Sequence, residues 1–135
     1  MTVWLLKTEP GEFSFDDLVA RGVEPWDGVR NPQALFNMKS ARDGETCVIY
    51  HTGGEKQAVG LARVVRTAYP DPNADDPRII VIDVQAGERL PIPVRLDQIK
   101  TDPRFSGSPL VKFGRLSVVA LTDEQYGAIL ELAKL

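Results

Sequence analysis

The chain holds one histidine and one cysteine, His51 and Cys47. The side chains that most often do nucleophilic or metal chemistry are therefore nearly absent. Both sit in the apolar run from Thr46 to His51, where strand geometry at about 3.3 Å per residue sets them roughly 13 Å apart, too far for a thiolate–imidazole pair. With no second His or Cys, a typical zinc site has no ligand set. Neither a Walker-type phosphate loop nor a dinucleotide-binding glycine fingerprint occurs, and Gly53-Gly54 reads as a hairpin turn. The expectation is a chain with no catalytic residues, no metal and no cofactor. Glu9 and Asp27 remain as carboxylates that could do acid–base work in an enzyme of another kind.

What is present is hydrogen-bonding and stacking chemistry, in four short segments. Lys7-Thr8-Glu9 brings a cation, a hydroxyl and a carboxylate to the end of a first strand, Lys7 and Glu9 on one face and Thr8 on the other. Mixed donors and acceptors of this kind suit the edge of a nucleobase. A solvated strand end held extended by Pro10 is the plainer alternative. Trp26-Asp27-Gly28-Val29-Arg30-Asn31 joins an indole able to stack on a flat ring, a glycine that permits close backbone approach, an arginine and a helix cap. The N–H groups of Gln33 and Ala34 would be open to an anionic or carbonyl oxygen. Trp26 could equally fill core beneath that helix. Tyr50-His51 ends an apolar strand in two polar-tipped rings, either ligand contacts or buried and satisfied. Arg115-Leu116-Ser117 opens a last strand, with Arg115 toward a ligand or simply toward solvent.

A scaffold must position these segments, and its elements are readable. Val3–Thr8 is a strand. Ser14 with Asp17 forms a capping box for a helix ending near Gly22. Asn31 as N-cap and Pro32 at the first helical position start a second helix, through about Ala41. Thr46–His51 and Ala58–Thr67 are strands, and Pro70, Pro72 and Pro77 mark a loop. Arg78–Gln85 and Leu90–Leu96 read as two strands around a turn at Ala86-Gly87. A short helix covers Asp97–Lys100, and Arg115–Ala120 is the last strand. Thr122 and Gln125 cap a closing helix whose Tyr126, Ile129, Leu130 and Leu132 form its apolar face. Trp4, Leu6, Val48, Leu61, Val64, Ile80, Ile82 and Leu116 are the expected core. The fold class is α+β: five or six short strands, mixed or antiparallel, closing into a small barrel with flanking helices.

At 135 residues, with no repeats or linker, a single domain over 1–135 is expected. The net charge of −3 cannot supply the many phosphate contacts that wrapping a duplex needs, so any grip on nucleic acid must be local. The start MTVWLLKTEP lacks the pattern of a signal peptide, and no apolar run approaches the roughly 20 residues of a membrane span. These points predict a cytoplasmic monomer without a membrane partner, its lone thiol in a reducing compartment.

The order of WLLKTEP, FSFDDL, WDGVRNPQA, CVIYHTG, VGLARVV, AYPD and RLSVVALT resembles the EVE domain family, from about Val3 to about Leu132. That family is grouped with the PUA-like barrels, alongside YTH and ASCH domains. The resemblance implies a pseudo-barrel with a pocket for a modified base of DNA or RNA. Carried over position by position, the pocket comprises Lys7, Thr8, Glu9, Trp26, Gly28, Val29, Arg30, Asn31, Tyr50, His51, Arg115 and Ser117. Thr8 stands where the family often has Ser, and Pro32 where it has an aromatic. Leu35-Phe36 replace an Arg-Asn pair, which thins the basic rim. The expected function is a non-enzymatic module that holds one flipped-out base; a nucleotide-acting enzyme and a metabolite sensor are the alternatives.

Overall fold

Four consecutive apolar residues, Val3 to Leu6, cannot all be hidden by a sheet covered on one side, because successive side chains point to opposite faces. In the computed structural model, which describes Met1–Leu135, all four are buried, and so are Cys47 to Tyr50. Their strands, β1 (Val3–Thr8) and β3 (Thr46–His51), pair in parallel as interior strands of a six-stranded sheet. One face carries Trp4, Leu6, Cys47 and Ile49 into a cluster of 20 buried residues. It is covered by α1 (Phe15–Arg21) and α2 (Pro32–Ser40) through Phe15, Leu18, Ala34, Leu35 and Met38. The other face carries Val3, Leu5, Val48 and Tyr50. Over it lie α3 (Leu96–Thr101), a 3-10 turn (Pro103–Phe105), α4 (Pro109–Lys112) and α5 (Asp123–Leu132), contributing Ile99, Phe105, Leu110 and Ile129.

The remaining strands are β2 (Val23–Pro25), β4 (Gln57–Pro70), β5 (Ile80–Arg95) and β6 (Val118–Leu121). The order across the sheet is β2-β5-β4-β3-β1-β6, antiparallel except between β3 and β1. The expected barrel is thus corrected to an open sheet, since no ladder joins β2 to β6. Both edges are short, and each is blunted locally, as exposed edges require. Pro25 ends β2 without an N–H. On β6, the Asn37 side chain of α2 donates to the Val118 carbonyl at 2.8 Å.

Several local expectations are met. Ser14 Oγ accepts from the Asp17 N–H at 3.1 Å while Asp17 returns the bond to Ser14 N at 2.9 Å. Thr122 and Gln125 exchange the same pair of bonds at α5. Of the expected core, Leu61 and Leu116 are only partly buried; the others are fully inside.

Other expectations are not met. No turn interrupts the chain at Ala86-Gly87, because β5 runs unbroken from Ile80 to Arg95. A Cβ on Gly87 would meet the Leu61 carbonyl oxygen at 3.0 Å, so this glycine marks a close approach of strands instead of a reversal. Pro91 and Pro93 fall between Arg89 and Val94, a stretch without ladder partners, where a missing N–H does no harm. The last strand begins at Val118. Arg115 and Ser117 therefore lie in the approach to β6, not on it.

Candidate functional site

The ends of β1 and β2 and the turn entering α2 converge on a cavity of about 550 Å³, within the usual range for small-ligand sites. Of the residues singled out from sequence, Lys7, Thr8, Glu9, Trp26, Gly28, Val29 and Ser117 line it. Each is held there by ordinary folding chemistry. Lys7 N donates to Ser117 O at 2.9 Å, which ties the end of β1 to the segment before β6. Its Nζ donates to Gly114 O at 2.8 Å, and burial pushes the ammonium pKa down. The Thr8 hydroxyl donates to the Phe13 carbonyl, closing the turn after β1. Glu9 Oε1 accepts from Gly11 N at 3.1 Å in the same turn. Gly28 has φ +79°, a conformation that side chains with a Cβ rarely adopt, and so directs Asp27 and Val29 around the rim.

Trp26 has two roles. Its backbone N–H bonds Ile82 O at 2.7 Å, and the residue is only 5% exposed, inside the cluster under α1 and α2. The Phe13 ring meets it edge to face, centroids 6.0 Å apart at 81°. Together the two rings make a rigid apolar wall on one side of the cavity.

The other walls are strongly polar. Glu9, Glu12, Glu24 and Asp27 line it together with Lys7 and Arg21. Arg21 is paired with Glu24 at 3.3 Å and stands 5.6 Å from the Phe13 ring. Glu12 and Asp27 keep side chains with no protein partner. The cavity therefore sets unpaired carboxylates, with Lys7 and Arg21, beside an apolar wall of two rings at right angles.

Glu12, Phe13, Arg21, Glu24 and Pro25 are lining residues that the sequence reading missed. Phe13 had a signal, since it precedes the N-cap Ser14 at the staple position of a capped helix. The three-residue strand β2 is too short to show alternation, which left Glu24 and Pro25 unassigned.

The other expected site residues lie elsewhere. Tyr50 packs into the opposite cluster, its phenol pKa raised by burial, with Lys7 Nζ 5.7 Å from the ring centroid. His51 is buried and engaged at both nitrogens: Nε2 accepts from Phe15 N at 3.0 Å, and Nδ1 meets Glu55 Oε1 at 2.9 Å. Those partners place the ring proton on Nδ1. His51 thus pins the start of α1. Arg30 is exposed and in the field of the Asp76 carboxylate. Asn31 caps α2, its Oδ1 taking the N–H groups of Gln33 at 2.9 Å and Ala34 at 3.1 Å. The donors expected to be free at that helix start are therefore already satisfied. Asn31 and Arg115 line a neighbouring hollow.

The family model of the EVE domain matches residues 2–132. The chain belongs to the EVE domain family. This EVE domain is 31% identical to thymocyte nuclear protein 1 of Rattus norvegicus, over 96% of this chain and 72% of that protein. Its fold superposes on a crystal structure of an Agrobacterium tumefaciens protein with a TM-score of 0.96, at 33% identity, covering 100% of this chain and 94% of that one. It also matches human THYN1 in complex with DNA containing 5-methylcytosine: TM-score 0.85, 30% identity, coverage of 100% and 99%. No helix of this EVE domain is long and apolar enough to cross a membrane.

Proposed function

We propose that this EVE domain holds one modified base of DNA, turned out of its strand, in the cavity bounded by Lys7–Glu9, Trp26–Val29 and Ser117. The observation that carries the reading is the pairing of an apolar wall, Phe13 and Trp26, with the unpartnered carboxylates of Glu12 and Asp27. Carboxylates accept from the exocyclic amino group of a cytosine-type base. A ring methyl group would rest against the apolar side. Phosphate is unwelcome among four acidic side chains, so the strand's backbone stays outside. The DNA bound to human THYN1 contains 5-methylcytosine, a base with both an amino and a methyl group. Extruding a base from a duplex costs a few kcal/mol, so an unpaired or weakly paired base binds best.

Neither Cys47 nor His51 lines the cavity, so a thiol or imidazole nucleophile has no place in it. Burial, with Glu45 nearby, pushes the Cys47 thiol up to about 12.

Fluorescence anisotropy with single strands carrying 5-methylcytosine, cytosine or thymine at one central position tests the reading. Thymine presents a carbonyl where cytosine has its amino group, so it should bind more weakly by about 1–3 kcal/mol. Asp27→Asn should narrow that difference. Equal affinity for the thymine and 5-methylcytosine strands would refute the proposal.

A further inference from the structure

Beside the base cavity lies a second hollow of about 750 Å³, and adjoining residues of the same two segments line the two. Residues 28 and 29 line the first and Asn31 the second; Ser117 lines the first and residues 114–116 the second. Lys7 bridges them, lining the base cavity while its Nζ bonds the carbonyl of Gly114. Their electrostatics are opposed. The base cavity is rich in carboxylates, whereas the second hollow is lined by none and carries the guanidinium of Arg115, which has no ion pair in the protein. Phe113 stands in its wall 57% exposed, at the end of α4. A large aromatic left in water next to an unpaired cation fits a base and its phosphate, respectively.

We propose that this hollow takes the nucleotide adjoining the held base on the same strand, its base stacked on Phe113 and its phosphate drawn to Arg115. The inference rests on the base-binding reading above and extends it from one nucleotide to two. It also accounts for how an acidic domain grips a polyanion: the charged backbone runs over the one hollow of the pair that lacks carboxylates.

The test compares three single DNA strands: one with 5-methylcytosine between ordinary nucleotides, one with abasic sites on both sides of it, and one with an abasic site in its place. Wild type should bind the first about fivefold to a hundredfold tighter than the second, the worth of one stacked base. Phe113→Ala should erase that ratio by weakening only the first strand, and Phe113→Tyr should keep it. Arg115→Ala should weaken the first strand and flatten its salt dependence. A wild-type ratio near one, or a full ratio in Phe113→Ala, overturns the second site while base binding stands. If the third strand binds wild type as well as the first does, the base-binding reading fails and this inference with it.

Discussion

Removing the indole of Trp26 should separate its packing in the core from its proposed part in holding a base. A buried Trp side chain withdraws about 150–250 Å² from water. At about 25 cal/mol per Å² that is about 4–6 kcal/mol, and the Cβ that alanine retains lowers it to about 3–5 kcal/mol. Trp26 is 5% exposed and packs edge-on against Phe13, so nearly the whole amount applies. A domain of this size has a total stability of about 7–20 kcal/mol. Trp26→Ala should therefore fold but melt roughly 10–25 °C below wild type, at about 3–5 °C per kcal/mol. Trp26→Phe keeps an aromatic wall and should lose less than half as much. Circular dichroism melts of both variants supply the numbers, and DNA titrations must be run well below the variant's midpoint. A Trp26→Ala melt within about 2 °C of wild type would show that the indole is not core and that the packing argument is wrong. A variant that stays folded, yet binds 5-methylcytosine DNA as wild type does, would remove Trp26 from the base site instead.

Three further outcomes are expected. Burial pushes the Glu45 carboxyl up, but the Trp4 indole N–H and the backbone N–H groups of Arg42 and Thr2 outweigh it, leaving its pKa below the usual carboxylate value. A depressed folded-state pKa contributes stability that is present above the ordinary value and lost as pH falls through the folded one. Glu45→Gln should thus lose about 1–3 kcal/mol at pH 7 in urea melts, with the gap to wild type closing in acid; a gap that stays constant down to pH 2 would contradict this. Gly60 lies under the ring of Phe15, where any Cβ would overlap it. Gly60→Ala should destabilise by about 1–3 kcal/mol, and Phe15→Leu in that background should recover part of the loss; additive losses would argue against the contact. Cys47 is wholly buried with its thiol raised to about 12. A thiol reagent such as DTNB should react at pH 8 only at the rate of unfolding, and a fast native reaction would place the thiol at the surface.

The elements that local chemistry specifies were legible from residue order. A cap needs only a side-chain oxygen and an N–H two or three positions on, so Ser14, Asn31 and Thr122 could be assigned without knowing what the helices pack against. The apolar runs at Val3–Leu6 and Cys47–Tyr50 marked strands for the same reason, since an extended apolar run is a property of the segment alone. Convergence of Lys7–Glu9 with Trp26–Val29 followed from a family pattern that spans both.

Closure of the sheet was not legible, because it depends on whether two distant edges meet. Here α2 and Pro25 blunt those edges before they can. Gly87 showed the same limit: a glycine that looks like a turn in isolation is required instead by the Leu61 carbonyl, 26 positions earlier. His51 and Tyr50 adjoin the site residues of β1 in register, yet one ring is tied to α1 and the other turns to the far face. The acidity of the cavity was decided last of all. Glu12 comes from the turn after β1, and Glu24 and Asp27 from β2 and the residues just after it; only packing these two segments around one space gathers their carboxylates.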